Sequence, residues 1–135
     1  MPKKYKFSYA KLVRDKVPEM IKKDGGLLKK RILDSAGYIQ ELKKKFLEES
    51  RELIAAENKK ETLEELADLQ EIIDHLLKAL RLTKTELKAK QLAKRRRVGG
   101  FKKRIYIDHV ATGDKFDPEW LKYFLKNRRK FPLLK

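Results

Sequence analysis

Residues 39–80 read IQELKKKFLEESRELIAAENKKETLEELADLQEIIDHLLKAL, and their apolar residues recur at helical intervals. The apolar positions, at steps of three, four or seven residues, are Ile39, Leu42, Phe46 and Leu53 in the first half and Leu66, Leu69, Ile73, Leu76 and Leu80 in the second. The polar connection between the halves, residues 57–61, is short, so the two helices should pack as an antiparallel hairpin. The sequence therefore predicts an all-α fold with this helical hairpin as its core.

Shorter helices are predicted on both sides of the hairpin, at residues 16–23 and 83–97 and in a C-terminal helix that begins at Asp117-Pro118. Between the last two, residues 101–110 alternate apolar and polar side chains and form a short strand-like segment. We expect residues 1–107 to form one domain and residues 108–135 to be a basic C-terminal extension packed on it.

The composition excludes several classes of protein. The chain has 135 residues, no Cys and two His, which rules out disulfide scaffolds, thiolate zinc sites and cysteine nucleophiles and leaves oxygen as the ligand for any metal. No apolar run reaches the length of about 18 to 20 residues that crosses a bilayer, and the basic N-terminus lacks the apolar segment of a signal peptide. These features predict a cytoplasmic protein that has no membrane partner.

Charge is distributed unevenly along the chain, whose formal net charge is +16. Residues 34–83 carry 8 basic and 12 acidic side chains, whereas residues 1–33 carry 11 and 3, and residues 84–104 carry 10 and 1. A basic excess of this size is typical of proteins that bind nucleic acid. The acidic centre is not expected of a pure polyanion binder, and it fits a protein whose acidic helices hold metal while its basic arms hold phosphates.

Four carboxylates are predicted to meet on the hairpin. Glu49 and Glu52 share one face of the first helix, and Glu65 and Asp68 share one face of the second, because each pair is spaced i,i+3. Glu49 also occupies a position that the apolar stripe assigns to the core. An antiparallel hairpin brings the two pairs opposite each other, where they would repel strongly unless a cation compensates them. Mg²⁺ suits such oxygen ligands, with Mn²⁺ as an alternative.

The same carboxylates also fit an ordinary solvated helix surface. Glu65 would then complete a capping box with Thr62 at the start of the second helix, and the other glutamates would pair with neighbouring lysines. The spacing by itself leaves both interpretations open.

Three motifs in the chain together resemble a known family. They are the two carboxylate pairs, the segment KLVRDKVP at residues 11–18, and RVGGF at residues 97–101. In this order they are similar to the all-α nucleoside triphosphate pyrophosphatases of the MazG-like superfamily, in particular the phosphoribosyl-ATP pyrophosphohydrolase-like branch, over residues 8–107. The resemblance implies Mg²⁺-dependent hydrolysis of a nucleotide between its α and β phosphates, which releases pyrophosphate and a monophosphate.

The resemblance also implies roles for individual residues. The metal ligands would be Glu49, Glu52, Glu65 and Asp68. The catalytic carboxylates would be Glu48, Glu49 and Glu52, with Glu48 and Glu71 as additional ligands or as a base that orients the attacking water. Basic residues must bind the substrate, because a triphosphate carries about four negative charges; the residues expected in this role are Arg14, Lys16, Lys90, Lys94 and Arg97.

The hairpin cannot cover all of its own apolar surface. We therefore expect a second copy to pair with it and complete a four-helix bundle, in a homodimer or homotetramer. Two other functions remain open at this stage. One is a basic RNA- or DNA-binding helical module without catalysis, and the other is a related protein that binds nucleotides without hydrolysing them.

Overall fold

The computed structural model describes residues 3–135, and all the regular secondary structure in these residues is α-helical. It contains the helices α1 (Val17–Lys23), α2 (Ser35–Ala55), α3 (Lys59–Ala79), α4 (Lys84–Val98) and α5 (Pro118–Lys126). The predicted all-α fold is confirmed. The chain divides after Arg97 into two compact units, the second of which is Val98–Lys135. None of the helices in residues 3–135 has the length and apolar character needed to cross a membrane.

Helices α2 and α3 pack against each other and form the predicted hairpin. The residue directly before each helix caps its first turn with its side chain. The Asp34 carboxylate accepts a hydrogen bond from the backbone N–H of Gly37 at 2.7 Å, and the Asn58 side chain accepts one from the N–H of Glu61 at 2.9 Å. Both caps satisfy backbone donors that the first helical turn leaves without partners. The connection is only three residues long, 56–58, which keeps the two helices adjacent.

The start of α3 differs from the predicted one in a way that matters for the site. Asn58 caps the helix, and the Glu61 carboxylate reaches back past it to accept a hydrogen bond from the N–H of Glu57 at 2.9 Å. Thr62 donates its hydroxyl to the backbone carbonyl of Asn58 instead. The alternative role of Glu65 as a capping partner of Thr62 is therefore wrong.

The hairpin core is small. The buried apolar residues among those described are Leu42 on α2 and Leu69, Ile72 and Leu77 on α3, and none of the described side chains is completely buried. Burial of each such side chain contributes roughly 1.5–3 kcal/mol. Large apolar side chains elsewhere on the hairpin, such as Leu63 and Leu66, remain exposed. The contacts between α2 and α3 therefore leave a substantial part of the apolar surface uncovered.

Helix α4 begins with a capping box and is followed directly by a glycine. The Thr83 N–H donates to the Glu86 carboxylate at 2.7 Å, and the Glu86 N–H donates to the Thr83 hydroxyl at 3.1 Å. Gly99, directly after the helix, has a φ of +86°, a left-handed conformation that glycine adopts without strain. No residue of α4 is buried.

The strand-like segment at residues 101–110 does not form a strand, so this part of the prediction is wrong. A strand needs a neighbour that supplies backbone hydrogen bonds, and none of residues 3–135 pairs with this segment as a strand. Its apolar side chains Ile105 and Ile107 are exposed instead. Alternation of apolar and polar residues is therefore not sufficient to form a strand in this segment.

The second unit contains the predicted C-terminal helix, α5. Asp117 caps its first turn by accepting a hydrogen bond from the N–H of Glu119 at 2.8 Å, and Pro118 is the first helical residue. Ring contacts with centroid distances of 4.9–6.2 Å connect a cluster of five aromatic residues: Phe116, Trp120, Tyr123, Phe124 and Phe131. This cluster is the apolar centre of the unit.

Candidate metal centre

Glu49 lies on the face of α2 that packs against α3. It is 8% exposed and is the one buried charged side chain among residues 3–135. Its position follows from the apolar stripe of α2, because the register that buries Leu42 also turns Glu49 inward. A buried carboxylate is costly unless a donor, a proton or a cation compensates its charge.

Carboxylates from both hairpin helices surround Glu49. One oxygen from each of Glu49, Glu65 and Asp68 lies within 4.8 Å of the other two, which forms a group that bridges α2 and α3. A second group with the same spacing, Glu48, Glu49 and Glu52, lies on α2 alone. The structure thus brings three of the four expected ligands together across the hairpin. It places Glu52 in the adjoining group, and Glu49 belongs to both.

Two oxygens of the first group have no hydrogen-bond partner. They are Oε2 of Glu49 and Oε2 of Glu65, both of which are inaccessible to solvent and without a donor in residues 3–135. An unsatisfied buried polar atom costs roughly 1–3 kcal/mol, and more when it is charged. Hard divalent cations bind carboxylate oxygens directly and would satisfy both atoms. Mg²⁺ or Mn²⁺ therefore fits the residues present.

The pKa of Glu49 shows how the group compensates its buried charge without a cation. Burial, together with the nearby Glu65 and Glu52 carboxyl groups, raises the pKa of Glu49 from 4.5 to about 8. Without a cation, Glu49 therefore keeps its proton at neutral pH. A divalent ion at this position would favour the ionised carboxylate and release that proton.

The N-terminal segment supplies positive charge at the rim of the carboxylate groups. Lys11 Nζ lies 3.0 Å from Glu48 Oε1, and its ammonium group lowers the pKa of Glu48. Arg14 reaches α3, with Nη2 at 2.7 Å from Asp68 Oδ1 and Nη1 at 3.3 Å from Glu71 Oε2. Exposed pairs of this kind contribute little to stability, about 0–1 kcal/mol each. These three ion pairs nevertheless place Lys11 and Arg14 beside the carboxylates of α2 and α3.

The residues expected to bind the substrate lie in three places. Arg14 is at the rim, while Lys16 is exposed just before α1. The α4 residues Lys90, Lys94 and Arg97 are exposed, and within the described part of the chain no ion pair joins them to the carboxylate groups. Of the five expected basic residues, the structure joins Arg14 to these carboxylates by ion pairs.

Lys11 is a residue of the site to which the sequence reasoning gave no role. It lies three residues before Arg14 and is the first residue of the segment KLVRDKVP, so this motif is the signal in the sequence that could have identified it.

A cavity of about 290 Å³ lies beside Glu71, one helical turn beyond Asp68, and is also lined by His75 and Lys78. His75 Nε2 is 3.4 Å from Glu71, and the imidazole is partly exposed rather than packed in the core.

The raised pKa of Glu49 predicts a pH dependence of the metal-free protein. Glu49 binds a proton more tightly in the folded state than in the unfolded state, so this proton stabilises the fold. Its contribution to the free energy of unfolding is complete below pH 4.5 and is lost as the pH rises through about 8. In EDTA, the free energy of unfolding of the wild type relative to Glu49→Gln should fall as the pH is raised from 5 to 9. This difference in the free energy of unfolding can change by at most about 1.4 kcal/mol per pH unit, because one proton is involved. Urea unfolding of both proteins measures this difference, and a constant difference would contradict the assignment.

The site thus combines an inner group of Glu49, Glu65 and Asp68 with a rim that Lys11 and Arg14 partly neutralise. Such a group can hold a hard cation, and the rim can meet an anion that approaches it. No protein-family model, curated protein or solved structure matches this chain.

Proposed function

We propose that the protein is a Mg²⁺-dependent nucleotide pyrophosphohydrolase that cleaves between the α and β phosphates of a nucleoside triphosphate or related nucleotide. One observation carries the proposal, namely the group of Glu49, Glu65 and Asp68 with its two buried, unpartnered carboxylate oxygens. The resemblance of three ordered motifs to the MazG-like superfamily supplies the reaction. A cytoplasmic location, where nucleotides and Mg²⁺ are both available, is part of the proposal.

The inner group would hold the ion. When bound, Mg²⁺, or Mn²⁺ in its place, neutralises phosphate oxygens and lowers the pKa of a bound water. Of the remaining carboxylates, Glu48 is engaged by Lys11, which lowers its pKa and so weakens it as a base. Glu52 is exposed beside Glu49 and is free of any ion pair within residues 3–135. We therefore assign the orientation and deprotonation of the attacking water to Glu52.

Arg14 is the basic residue best placed to bind a phosphate. Its guanidinium lies at the edge of the inner group, and a planar guanidinium can bind a phosphate through two parallel hydrogen bonds. In the structure the Arg14 guanidinium contacts the carboxylates of Asp68 and Glu71. A bound nucleotide would offer the Arg14 guanidinium phosphate oxygens in place of these two carboxylates.

We also propose that a second copy of the chain covers the exposed apolar face of the hairpin. Leu63 and Leu66 of α3 are 69% and 49% exposed, and Leu47 and Ile54 of α2 are also exposed. Two antiparallel hairpins that pack through such faces form a four-helix bundle, and a symmetric pair uses the same surface twice. A homodimer is the smallest assembly that achieves this, and a homotetramer would extend it.

A charge placed on this face should separate the two copies. Leu66→Lys is expected to convert a dimer of the wild type into a monomer at micromolar concentration, because a lysine cannot be buried there without a partner. Leu27→Lys is the matched control, since Leu27 is fully exposed in a connecting segment. Sedimentation velocity measures the outcome. A wild type that is already a well-folded monomer would contradict the proposed pairing.

Pyrophosphate release from a panel of nucleoside triphosphates, with Mg²⁺ and with EDTA, tests the reaction itself. We expect a monophosphate and pyrophosphate as products with at least one nucleotide, and only in the presence of the metal. Release of orthophosphate and a diphosphate would show cleavage between the β and γ phosphates and would contradict the proposed reaction. No turnover of any nucleotide with Mg²⁺ or Mn²⁺ would contradict the proposal.

A further inference from the structure

Helix α4 carries an unusual density of positive charge. Seven of its 15 residues are Lys or Arg, and Glu86, which caps the first turn, is its single acidic residue. No residue of the helix is buried, and within residues 3–135 none of its basic side chains forms an ion pair. The charge of α4 therefore serves neither packing nor the carboxylate groups in this chain.

Six of the seven basic residues of α4 form two stripes along the helix, and the seventh, Arg96, lies between them, about 100° from the first stripe. At 100° per residue, Lys84, Lys88 and Arg95 lie within about 40° of one another around the axis. A second stripe, separated from the first by about 130°, consists of Lys90, Lys94 and Arg97. A single small ligand on one side of the helix could contact only one of these stripes.

Helix stability does not account for this pattern. The three arginines of the last turn complement the negative end of the helix dipole. Lys84 in the first turn opposes the dipole, and Lys88 and Lys90 lie mid-helix, where they gain nothing from it. A membrane surface is a poor partner, because an interfacial helix needs an apolar face and the leucines of α4, Leu87 and Leu92, lie roughly 140° apart around the axis.

We propose that α4 binds the phosphate backbone of double-stranded DNA by lying in the major groove. The groove of B-form DNA is about 12 Å wide and admits one α-helix, whose two flanks then face the phosphates of the two strands. Two basic stripes on either side of a helix of about 22 Å match this arrangement. Duplex RNA does not offer it, because its major groove is deep and narrow.

This interaction is independent of the proposed hydrolysis. The first of its two stripes, Lys84, Lys88 and Arg95, has no role in the proposed reaction, and binding to DNA requires no divalent ion. The interaction also gives a role to the basic excess of α4, whose seven basic residues against one acidic residue exceed the four charges of one triphosphate. Binding with little sequence preference is expected, because contacts to phosphates carry no base information.

Fluorescence anisotropy with a labelled 20-base-pair DNA in EDTA tests the proposal. The triple variant Lys84→Gln/Lys88→Gln/Arg95→Gln should bind at least tenfold more weakly than the wild type at 0.1 M salt. Its slope of log affinity against log salt should be shallower by about 2.7, at roughly 0.9 for each phosphate that the variant no longer neutralises. The matched control, Lys29→Gln/Lys30→Gln/Arg31→Gln, removes the same charge from an exposed connecting segment and should bind nearly as well as the wild type.

Three results would overturn the proposal. They are equal reductions of affinity in the two triple variants, equal affinity for duplex RNA, and tighter binding to vesicles with anionic lipids than to DNA. Circular dichroism of the variants shows whether weaker binding reflects the missing charges or an unfolded helix, and glutamine is chosen because its helix propensity is close to that of lysine and arginine. The same titration with Glu49→Gln should give wild-type affinity, so failure of the proposed hydrolysis would leave this result unchanged.

Discussion

Glu49→Gln is expected to reduce Mg²⁺-dependent release of pyrophosphate by roughly 10³-fold or more. The amide keeps the size of the side chain and removes the charge at the one position shared by both carboxylate groups. A loss of 10³-fold corresponds to about 4 kcal/mol of transition-state stabilisation, a magnitude expected when a metal ion no longer neutralises the phosphate oxygens. The rate of pyrophosphate release under saturating nucleotide measures the effect.

Glu64→Gln is the control for this substitution. Glu64 is adjacent to Glu65 on α3, but its side chain is exposed and belongs to neither carboxylate group. The control should therefore retain activity within about twofold of the wild type. Equal losses of activity in Glu49→Gln and Glu64→Gln would indicate a general effect of charge and would remove the assignment of the site.

Leu42→Ala should destabilise the protein by about 2–4 kcal/mol. Leu42 is 4% exposed at the contact between α2 and α3, and truncation of a buried leucine loses its transfer free energy and leaves a cavity. Small domains have a total stability of about 5–15 kcal/mol, and this core contains few buried side chains, so the variant should approach unfolding. Urea unfolding followed by circular dichroism, at a fixed protein concentration, measures the destabilisation.

Leu27→Ala removes the same atoms from a fully exposed side chain. Its stability should change by less than about 0.5 kcal/mol. If the two variants were destabilised equally, packing between α2 and α3 would not be what holds the first unit together. If neither were destabilised, Leu42 would not be in the core.

The hairpin and its inward-facing carboxylate were predictable from the sequence because both follow from one periodicity. On α2, apolar residues at steps of three, four and seven define a buried face, and Glu49 interrupts that face at a position where a polar residue needs a partner. On α3 the predicted stripe is less accurate, because Leu66 and Leu80 are exposed, whereas Ile72 and Leu77, which it omits, are buried. The capping box of α4 was predictable for a similar reason, since Thr83 and Glu86 interact within a single turn. Local interactions of this kind depend little on the rest of the fold.

Features that depend on competition or distance were not predictable. Asn58 and Thr62 both precede a glutamate by three residues, and only the structure shows that Asn58 caps α3 and leaves Glu65 for the site. The alternation at residues 101–110 carries no information on whether a partner strand exists. The contact between Arg14 and Asp68 joins residues far apart in the chain, so helical spacing could not reveal it.

Binding of Mn²⁺ in the absence of nucleotide tests the metal centre most directly. Electron paramagnetic resonance of free Mn²⁺ gives the affinity for the wild type, Glu49→Gln and Glu64→Gln at the same pH and salt concentration. We expect Glu49→Gln to bind at least tenfold more weakly than the other two, with Mg²⁺ competing for the wild-type site. Equal affinities in all three proteins, or no binding by the wild type at millimolar Mn²⁺, would contradict a metal centre built on Glu49, Glu65 and Asp68.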